Sequence, residues 1–141
     1  MDVVQQFIEK HNTVTLATNG ENGPCAAAVF YALNKNKNAL LFISKPKSEH
    51  IKNIISNNKC AATIQEDGLN WELIKGVQLK GEIRLAKEEY WAYYFERYPF
   101  INNNENLKHH LKKVDLYTFD IKWARIIDNS EGLGNNSEFK Y

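Results

Sequence analysis

Two different apolar periods shape the first third of the chain. Between Asp2 and His11, apolar residues recur at helical spacing, which predicts a short amphipathic helix capped by Asp2. From Thr13 the period becomes two, and turns rich in glycine or asparagine separate three apolar segments. The predicted strands of this meander are Thr13–Thr18, Cys25–Leu33 and Ala39–Ile43.

The middle of the chain predicts a helix between strands. Pro46 breaks the third strand, and Ser48 is a suitable cap for a two-turn helix that ends at Asn57 and Asn58. A strand over Cys60–Gln65 follows. From Trp71 a long strand is predicted whose apolar face is formed by Leu73, Val77, Leu79, Ile83 and Leu85. Gly76 and Gly81 within it indicate a bend or a bulge.

The last third returns to helices and then to strands. Lys87–Tyr98 is predicted to be helical, with an aromatic stripe that we interpret mainly as core, and a short segment with His109 and His110 follows. The final strands are predicted over Leu116–Ile121 and Trp123–Ile127, and the tail Asn135–Tyr141 is predicted to be frayed.

Antiparallel connections with inserted helices indicate an α+β fold that is mainly antiparallel β. The pattern predicts a six- to seven-stranded split β-barrel with short helices inserted, because closure of a bent sheet removes exposed edges. No linker or repeat divides the chain, so residues 1–141 are expected to form one domain.

Composition narrows the class of partner. The net charge is +1 and residues of both signs are mixed along the chain, so the sequence shows no cluster of positive charge that would attract nucleic acid. No apolar stretch resembles a signal peptide or a membrane span, so a cytoplasmic protein is expected. Cys25 and Cys60 lie in apolar segments, are interpreted as buried free thiols, and predict no metal site.

The segment Phe42–His50 is the most informative for chemistry. A strand end brings Ser44 beside the first turn of a helix, where free N–H groups, hydroxyls, two lysines and His50 converge. Such a point suits a phosphate. The alternative is that Ser48 only caps its helix and that Lys45 and Lys47 belong to a solvated turn.

Three segments resemble the flavin-binding split-barrel family that includes the pyridoxamine 5'-phosphate oxidase-like proteins. Thr15–Thr18 with its Gly-Pro turn resembles the first hairpin, Phe42–Ile54 resembles the phosphate loop and helix, and Gly76–Ile83 resembles the long central strand. The end Asp128–Gly134 is similar to a branch of small single-domain bacterial proteins. The resemblance implies that flavin mononucleotide (FMN) is the cofactor.

The resemblance also implies which residues hold this cofactor. Ser44, Lys47, Ser48 and His50, with Ile43 beside them, are expected around the phosphate. Gln78 is expected to donate a hydrogen bond to the flavin, although a solvated sheet position is an equal alternative. Backbone contacts to the ring are expected from Ala27, Ala28, Val29, Phe30 and Tyr31, where small side chains at Ala26 to Ala28 let a flat ring lie close.

The sequence departs from the oxidases in three places. Ala26–Ala28 and Glu49 stand near positions where the oxidases have basic residues, so His50 is the nearest cation and phosphate affinity is expected to depend on pH. The chain ends with Gly132-Leu133-Gly134 instead of a Trp/Pro/Arg-Leu segment. Oxidation of vitamin B6 is therefore not supported.

The expected function is that of an FMN-dependent oxidoreductase acting on an unidentified small molecule, with no side chain recognisable as a catalytic acid or base. The family implies a homodimer with the site between subunits, completed by the partner, for example around Trp91, Trp123 and Arg125. One rival is a non-catalytic flavin or haem carrier, in which His50, His109 or His110 would be the haem ligand. The other rival is a barrel that has lost its ligand and serves as an interaction domain.

Overall fold

The computed structural model describes residues 1–141 and contains seven strands and four α-helices. The strands are β1 (Thr13–Gly20), β2 (Gly23–Asn34), β3 (Ala39–Ser44), β4 (Lys59–Gln65), β5 (Lys75–Leu85), β6 (Asp115–Asp128) and β7 (Asn136–Lys140). The helices are α1 (Val3–Glu9), α2 (Glu49–Ser56), α3 (Trp91–Arg97) and α4 (Glu105–Leu111). Four 3₁₀ turns lie at Trp71–Leu73, Glu88–Tyr90, Pro99–Asn103 and Asn129–Glu131.

The strands close into a barrel. Their order is β3-β2-β1-β4-β5-β6-β7, and an additional pairing of β3 with β6 joins the ends of the first six strands. All pairings are antiparallel. The predicted fold class, a mainly antiparallel split barrel of six to seven strands, is confirmed as a closed six-stranded barrel with one extra strand.

Alternation along the strands fills the barrel. In β1 and β4 every second side chain is buried, and the others are exposed. The buried set includes Leu16 and Ile64, which join a core cluster of 20 residues. The amphipathic helix α1 adds Val4, Phe7 and Ile8 to the same cluster. The barrel interior is therefore a packed core, as period-two patterning predicts.

A second hydrophobic cluster lies between α3 and the barrel. Tyr90, Tyr94 and Tyr98 are buried there against side chains of β2, β3 and β6. This confirms the interpretation of the aromatic stripe as mainly core, with Trp91 and Phe95 half-buried. No helix of the structure is long and apolar enough to cross a membrane.

Three predictions about β5, β6 and the tail were wrong. The two final strands are one strand, β6, because a register shift opposite Lys80 and Gly81 takes up the extra residue Lys122 without ending the pairing. The tail forms β7 because the second half of β6 has an edge that β3 does not cover. Trp71–Leu73 is a 3₁₀ turn that precedes β5, so Leu73 is exposed. Leu85, at the end of β5, is exposed too.

The expected bend in β5 is confirmed at Gly81. A Cβ atom there would clash with the main-chain oxygen of Asp120 on β6. Because the two backbones approach this closely, only glycine fits at the register shift.

Candidate functional site

A cluster of hydroxyl and imidazole groups lies where β3 ends and α2 begins; we call it the Ser44 corner, formed by Ser44, Ser48 and His50. Ser44 Oγ is 3.0 Å from Ser48 Oγ and 2.7 Å from Nε2 of His50. All three side chains are half-buried. The structure therefore brings together three of the four side chains that were expected around a phosphate.

Ser48 does not cap its helix as predicted. Its backbone has the extended conformation of a cap residue, but its hydroxyl donates a 2.6 Å hydrogen bond to the carbonyl of Lys45. No side chain accepts from the N–H groups of the first turn of α2. These N–H groups are donors without an intrahelical partner, at the end of the helix where its dipole favours an anion.

The electrostatics of the corner depend on His50. Burial lowers the pKa of His50 below its ordinary 6.5, against the opposing effect of the Glu49 carboxylate. The imidazole is therefore neutral at pH 7 in the free protein. Lys47 is exposed and makes no ion pair, so it adds positive charge near the corner without being fixed there.

Part of the main chain of β2 has no partner strand on one side. Residues 31–34 pair with β3, but residues 23–30 pair only with β1. The Tyr31 N–H donates to the carbonyl of Asn12, just before β1, at 2.9 Å. Because the direction of N–H and C=O groups alternates along a strand, those of Ala26 and Ala28 point away from β1 and have no partner strand. We call these unpaired groups the free edge.

The free edge begins beside the Ser44 corner. Tyr31 is opposite Phe42 in the β2–β3 pairing, so Ile43 and Ser44 come level with Phe30 and Val29 as β3 separates from β2. Ile43 and Ser44 still pair with β6. The chain then turns through Lys45 into α2, which contacts both β1 and β2. An elongated ligand with an anionic end could thus contact both features at once.

The other residues predicted on β2 are placed differently. Ala27 and Val29 direct their main-chain groups toward β1. In Tyr31 the carbonyl accepts a hydrogen bond from the Tyr98 hydroxyl, and the phenol donates to the carbonyl of Ile8 inside the protein. The main-chain groups of Phe30 face Ile43 of β3. Within the predicted segment 27–31, free main-chain groups therefore remain only at Ala28, and those of Ala26 were not predicted.

Gln78 does not join the corner within one chain. It is exposed on β5, and its row across the sheet runs through Thr63 and Thr15 to Ala28. Three strand spacings of ~4.8 Å separate β5 from β2, about 14 Å in all. A Gln78 that contacts the same ligand would have to come from a second subunit.

The outer surface of β1, β2 and β4 carries small, uncharged side chains. Residues that pair across the three strands form two neighbouring rows. One row contains Ala26, Ala17 and Ala61, and the next contains Ala28, Thr15 and Thr63. All six side chains are exposed, and Phe30 beside them is 56% exposed. We call this surface the Ala/Thr face. The Ala and Thr residues at alternate positions were its signal in the sequence.

The two cysteines stay protonated at neutral pH. Burial raises the pKa of Cys60 to about 11. Cys25 is half-buried rather than buried as expected, and desolvation together with the carboxylate of Glu49 raises its pKa. Neither thiol is therefore an activated nucleophile.

A family model described as "Pyridoxamine 5'-phosphate oxidase" matches residues 1–128 of the chain. Among curated proteins, a UPF0306 protein of Campylobacter jejuni is 26% identical over 136 residues, which cover 96% of this chain and 95% of that protein.

Solved structures share the fold. ChuZ of Campylobacter jejuni superposes with a TM-score of 0.78 at 20% identity, over 96% of this chain and 57% of that one. HutZ, the haem storage protein of Vibrio cholerae, has a TM-score of 0.67 at 16% identity, over 84% of this chain and 87% of that one. At these identities the similarity concerns the fold.

Proposed function

Since the chain belongs to the pyridoxamine 5'-phosphate oxidase family, we propose that it is an FMN-binding flavoprotein that acts as an oxidoreductase on a small molecule. In this proposal residues 1–141 form one cofactor-binding domain of a cytoplasmic homodimer. The proposal depends on one observation above all, the Ser44 corner at an uncapped helix start beside the free edge of β2.

The corner suits the phosphate of FMN. The uncapped N–H groups of α2 are neutral donors for phosphate oxygens. The hydroxyls of Ser44 and Ser48 become donors to the phosphate when they release their present acceptors, the Ser48 oxygen and the Lys45 carbonyl. His50, neutral in the free protein, can take up a proton and become a charged donor when the anion arrives. Lys47 can approach from the exposed loop. Glu49 opposes the anion, so we expect moderate rather than very tight binding.

The free edge suits the polar rim of the flavin ring. Its N–H and C=O groups alternate as donor and acceptor, as the rim of an isoalloxazine does. The methyl side chains of Ala26 and Ala28 leave room for a flat ring close to the main chain. When bound, FMN would supply hydride or electron transfer through its ring. The residues of this chain would anchor the phosphate, orient the ring and leave one ring face open.

A second copy of the chain is the proposed occupant of the Ala/Thr face. This face has no charged side chain and carries the exposed Phe30 next to the free edge. Pairing of two such faces would enclose the ring between subunits. Gln78, Trp123 and Arg125 are placed on β5 and β6, so in a dimer they could reach the ligand of the partner.

The substrate is proposed to differ from pyridoxamine phosphate. Glu49 places a carboxylate at the start of α2, and the tail forms β7 on the edge of β6. The family model ends at residue 128, before this tail. We infer that the substrate pocket is formed differently from that of the vitamin B6 oxidases.

Haem binding is the second candidate, favoured by the similarity in fold to the haem storage protein HutZ. Nε2 of His50 is engaged by Ser44 in the free protein. His109 and His110 lie in the last turn of α4, are exposed and have no hydrogen-bond partner on their side chains. Either imidazole could hold haem through its iron at a surface site.

The absorption spectrum of the purified protein separates the two candidates. Flavin bands, with FMN released on denaturation, would support the proposed function, and a Soret band would support the second candidate. In the apo protein, FMN should raise the melting temperature because a ligand selective for the folded state stabilises it.

A double variant tests the placement of the phosphate. Ser44→Ala with His50→Ala should lower FMN affinity at least tenfold, whereas the matched control Ser56→Ala with His109→Ala should leave it unchanged. Unchanged affinity in the first variant would remove the Ser44 corner from the proposal.

A further inference from the structure

A second cavity, separate from the Ser44 corner, lies between α1, the end of β2 and α3. Its volume is about 330 Å³, at the lower end of the range of ~300–1,000 Å³ that small-molecule sites span. We call it the α3 cavity. Its lining includes Glu9, Leu33, Lys35, Tyr93, Glu96 and Arg97.

The charged groups around the α3 cavity fall into two sets. Lys35 and Glu9 form an ion pair at 2.6 Å and neutralise each other. Arg97 and Glu96, on the last turn of α3, make no ion pair with each other or with any other residue. One cation and one anion are therefore left available beside the same cavity.

The rest of the lining is apolar or fixed by hydrogen bonds. Leu33 and the ring of Tyr93 are half-buried and supply apolar surface to the cavity. The Tyr93 hydroxyl accepts a hydrogen bond from the side-chain nitrogen of Asn36 at 3.3 Å. The His11 ring donates from Nδ1 to the carbonyl of Phe7 at 2.8 Å, which fixes its orientation. A ligand would therefore meet preformed walls, which lowers the entropy lost on binding.

We propose that the α3 cavity binds a free α-amino acid with an apolar side chain. The guanidinium of Arg97 pairs with the carboxylate, since this fork geometry matches a carboxylate in two hydrogen bonds. The carboxylate of Glu96 pairs with the ammonium group, and the side chain of the ligand packs on Leu33 and the ring of Tyr93. The site uses neither the Ser44 corner nor the free edge, so it does not depend on the proposed cofactor.

Calorimetric titration of the purified protein with each of the twenty amino acids tests the proposal. At least one apolar amino acid should bind saturably, and it should compete with other apolar amino acids but not with aspartate. If none of the twenty binds saturably, the proposal is wrong.

Two variants then test the roles of the charges, with the best amino acid, its deaminated carboxylate and its decarboxylated amine as probes. Arg97→Gln should lower the affinity for the amino acid and for the carboxylate at least tenfold and leave the affinity for the amine unchanged. Glu96→Gln should lower the affinity for the amino acid and for the amine at least tenfold and leave the affinity for the carboxylate unchanged.

Lys112→Gln and Glu105→Gln, exposed on and just after α4, are the matched controls and should bind like the unmodified protein. Circular dichroism confirms that each variant is folded. An amino acid that binds Arg97→Gln as tightly as the unmodified protein would also overturn the proposal.

Discussion

The hydroxyl of Tyr98 donates a hydrogen bond to the main-chain carbonyl of Tyr31, and the hydroxyl of Tyr31 donates in turn to the carbonyl of Ile8. Both phenol rings are buried. Through these two bonds α3 is tied to β2, and β2 to the last residues of α1. Burial raises the pKa of both phenols, so both keep their protons and remain donors at neutral pH.

Replacement of Tyr98 by phenylalanine should leave the Tyr31 carbonyl without its partner. A buried polar group in this state costs about 1–3 kcal/mol, and we expect a loss of this size in the free energy of unfolding by urea. Tyr141→Phe is the matched control, because the Tyr141 hydroxyl donates to Asp2 at an exposed position. An equal loss in the two variants would contradict the importance of the buried bond.

Gly81→Ala should destabilise the barrel more than Gly76→Ala on the same strand. At Gly81 the new methyl group would clash with the Asp120 main chain, whereas at Gly76 the nearest atom, the Ile64 oxygen, is 3.1 Å from the Cβ position. Overpacking of this kind costs about 1–3 kcal/mol or more. Thermal melts of both variants provide the comparison, and a Gly81→Ala melting temperature at or above that of Gly76→Ala would refute the prediction.

FMN affinity should rise as the pH falls from about 8 to about 6.5. The pKa of His50 is lowered in the free protein, and a bound phosphate raises it, so binding takes up a proton. Uptake of one proton strengthens binding by up to about tenfold per pH unit. Riboflavin, which lacks the phosphate, is the control ligand, and its binding should not follow pH in this way.

In fluorescence titrations with FMN, His50→Gln should make FMN affinity nearly independent of pH. If the pH dependence persists in the variant, a group other than His50 takes up the proton. Folding stability of the free protein should depend on pH in the opposite direction from FMN affinity. The lowered pKa means that the unfolded chain binds the proton more readily, so His50 reduces stability as the pH falls below about 6.5.

Phe30→Glu should convert the proposed homodimer into a monomer. The carboxylate would be buried without a partner beside the Ala/Thr face, which disfavours association strongly. Phe100→Glu is the matched control, because Phe100 is 57% exposed and Phe30 is 56% exposed. Light scattering should show a loss of dimer only for Phe30→Glu. A dimer that survives this change would place the interface on another surface.

Local patterns were sufficient to predict the barrel. The alternation of buried and exposed residues in β1 and β4 follows from the amino-acid sequence directly, and the glycines of β5 indicated where the sheet bends. The continuity of β6 and the existence of β7 depend on pairing between distant segments. Lys122 interrupts the alternation, and no local signal shows that a register shift with β5 absorbs it.

The candidate site was predicted in part for the same reason. Ser44, Ser48 and His50 are close in sequence, so their convergence follows from one strand-to-helix turn. Whether Ser48 caps its helix or donates to Lys45 depends on the loop conformation, which the spacing does not specify. The free edge and the α3 cavity depend on where β3 separates from β2 and how α3 packs, so they required the structure.

The position of β6 bears on how the protein is made. This strand pairs with β5 on one side and with both β3 and β7 on the other. A nascent chain that has left the ribosome only as far as α4 already contains five strands, yet it lacks the one that closes the ring. Until β6 emerges, β3 and β5 carry apolar surface with unsatisfied edges. Chaperones that bind extended apolar segments should therefore associate with the chain during synthesis and leave once Asp115–Asp128 has emerged from the ribosome.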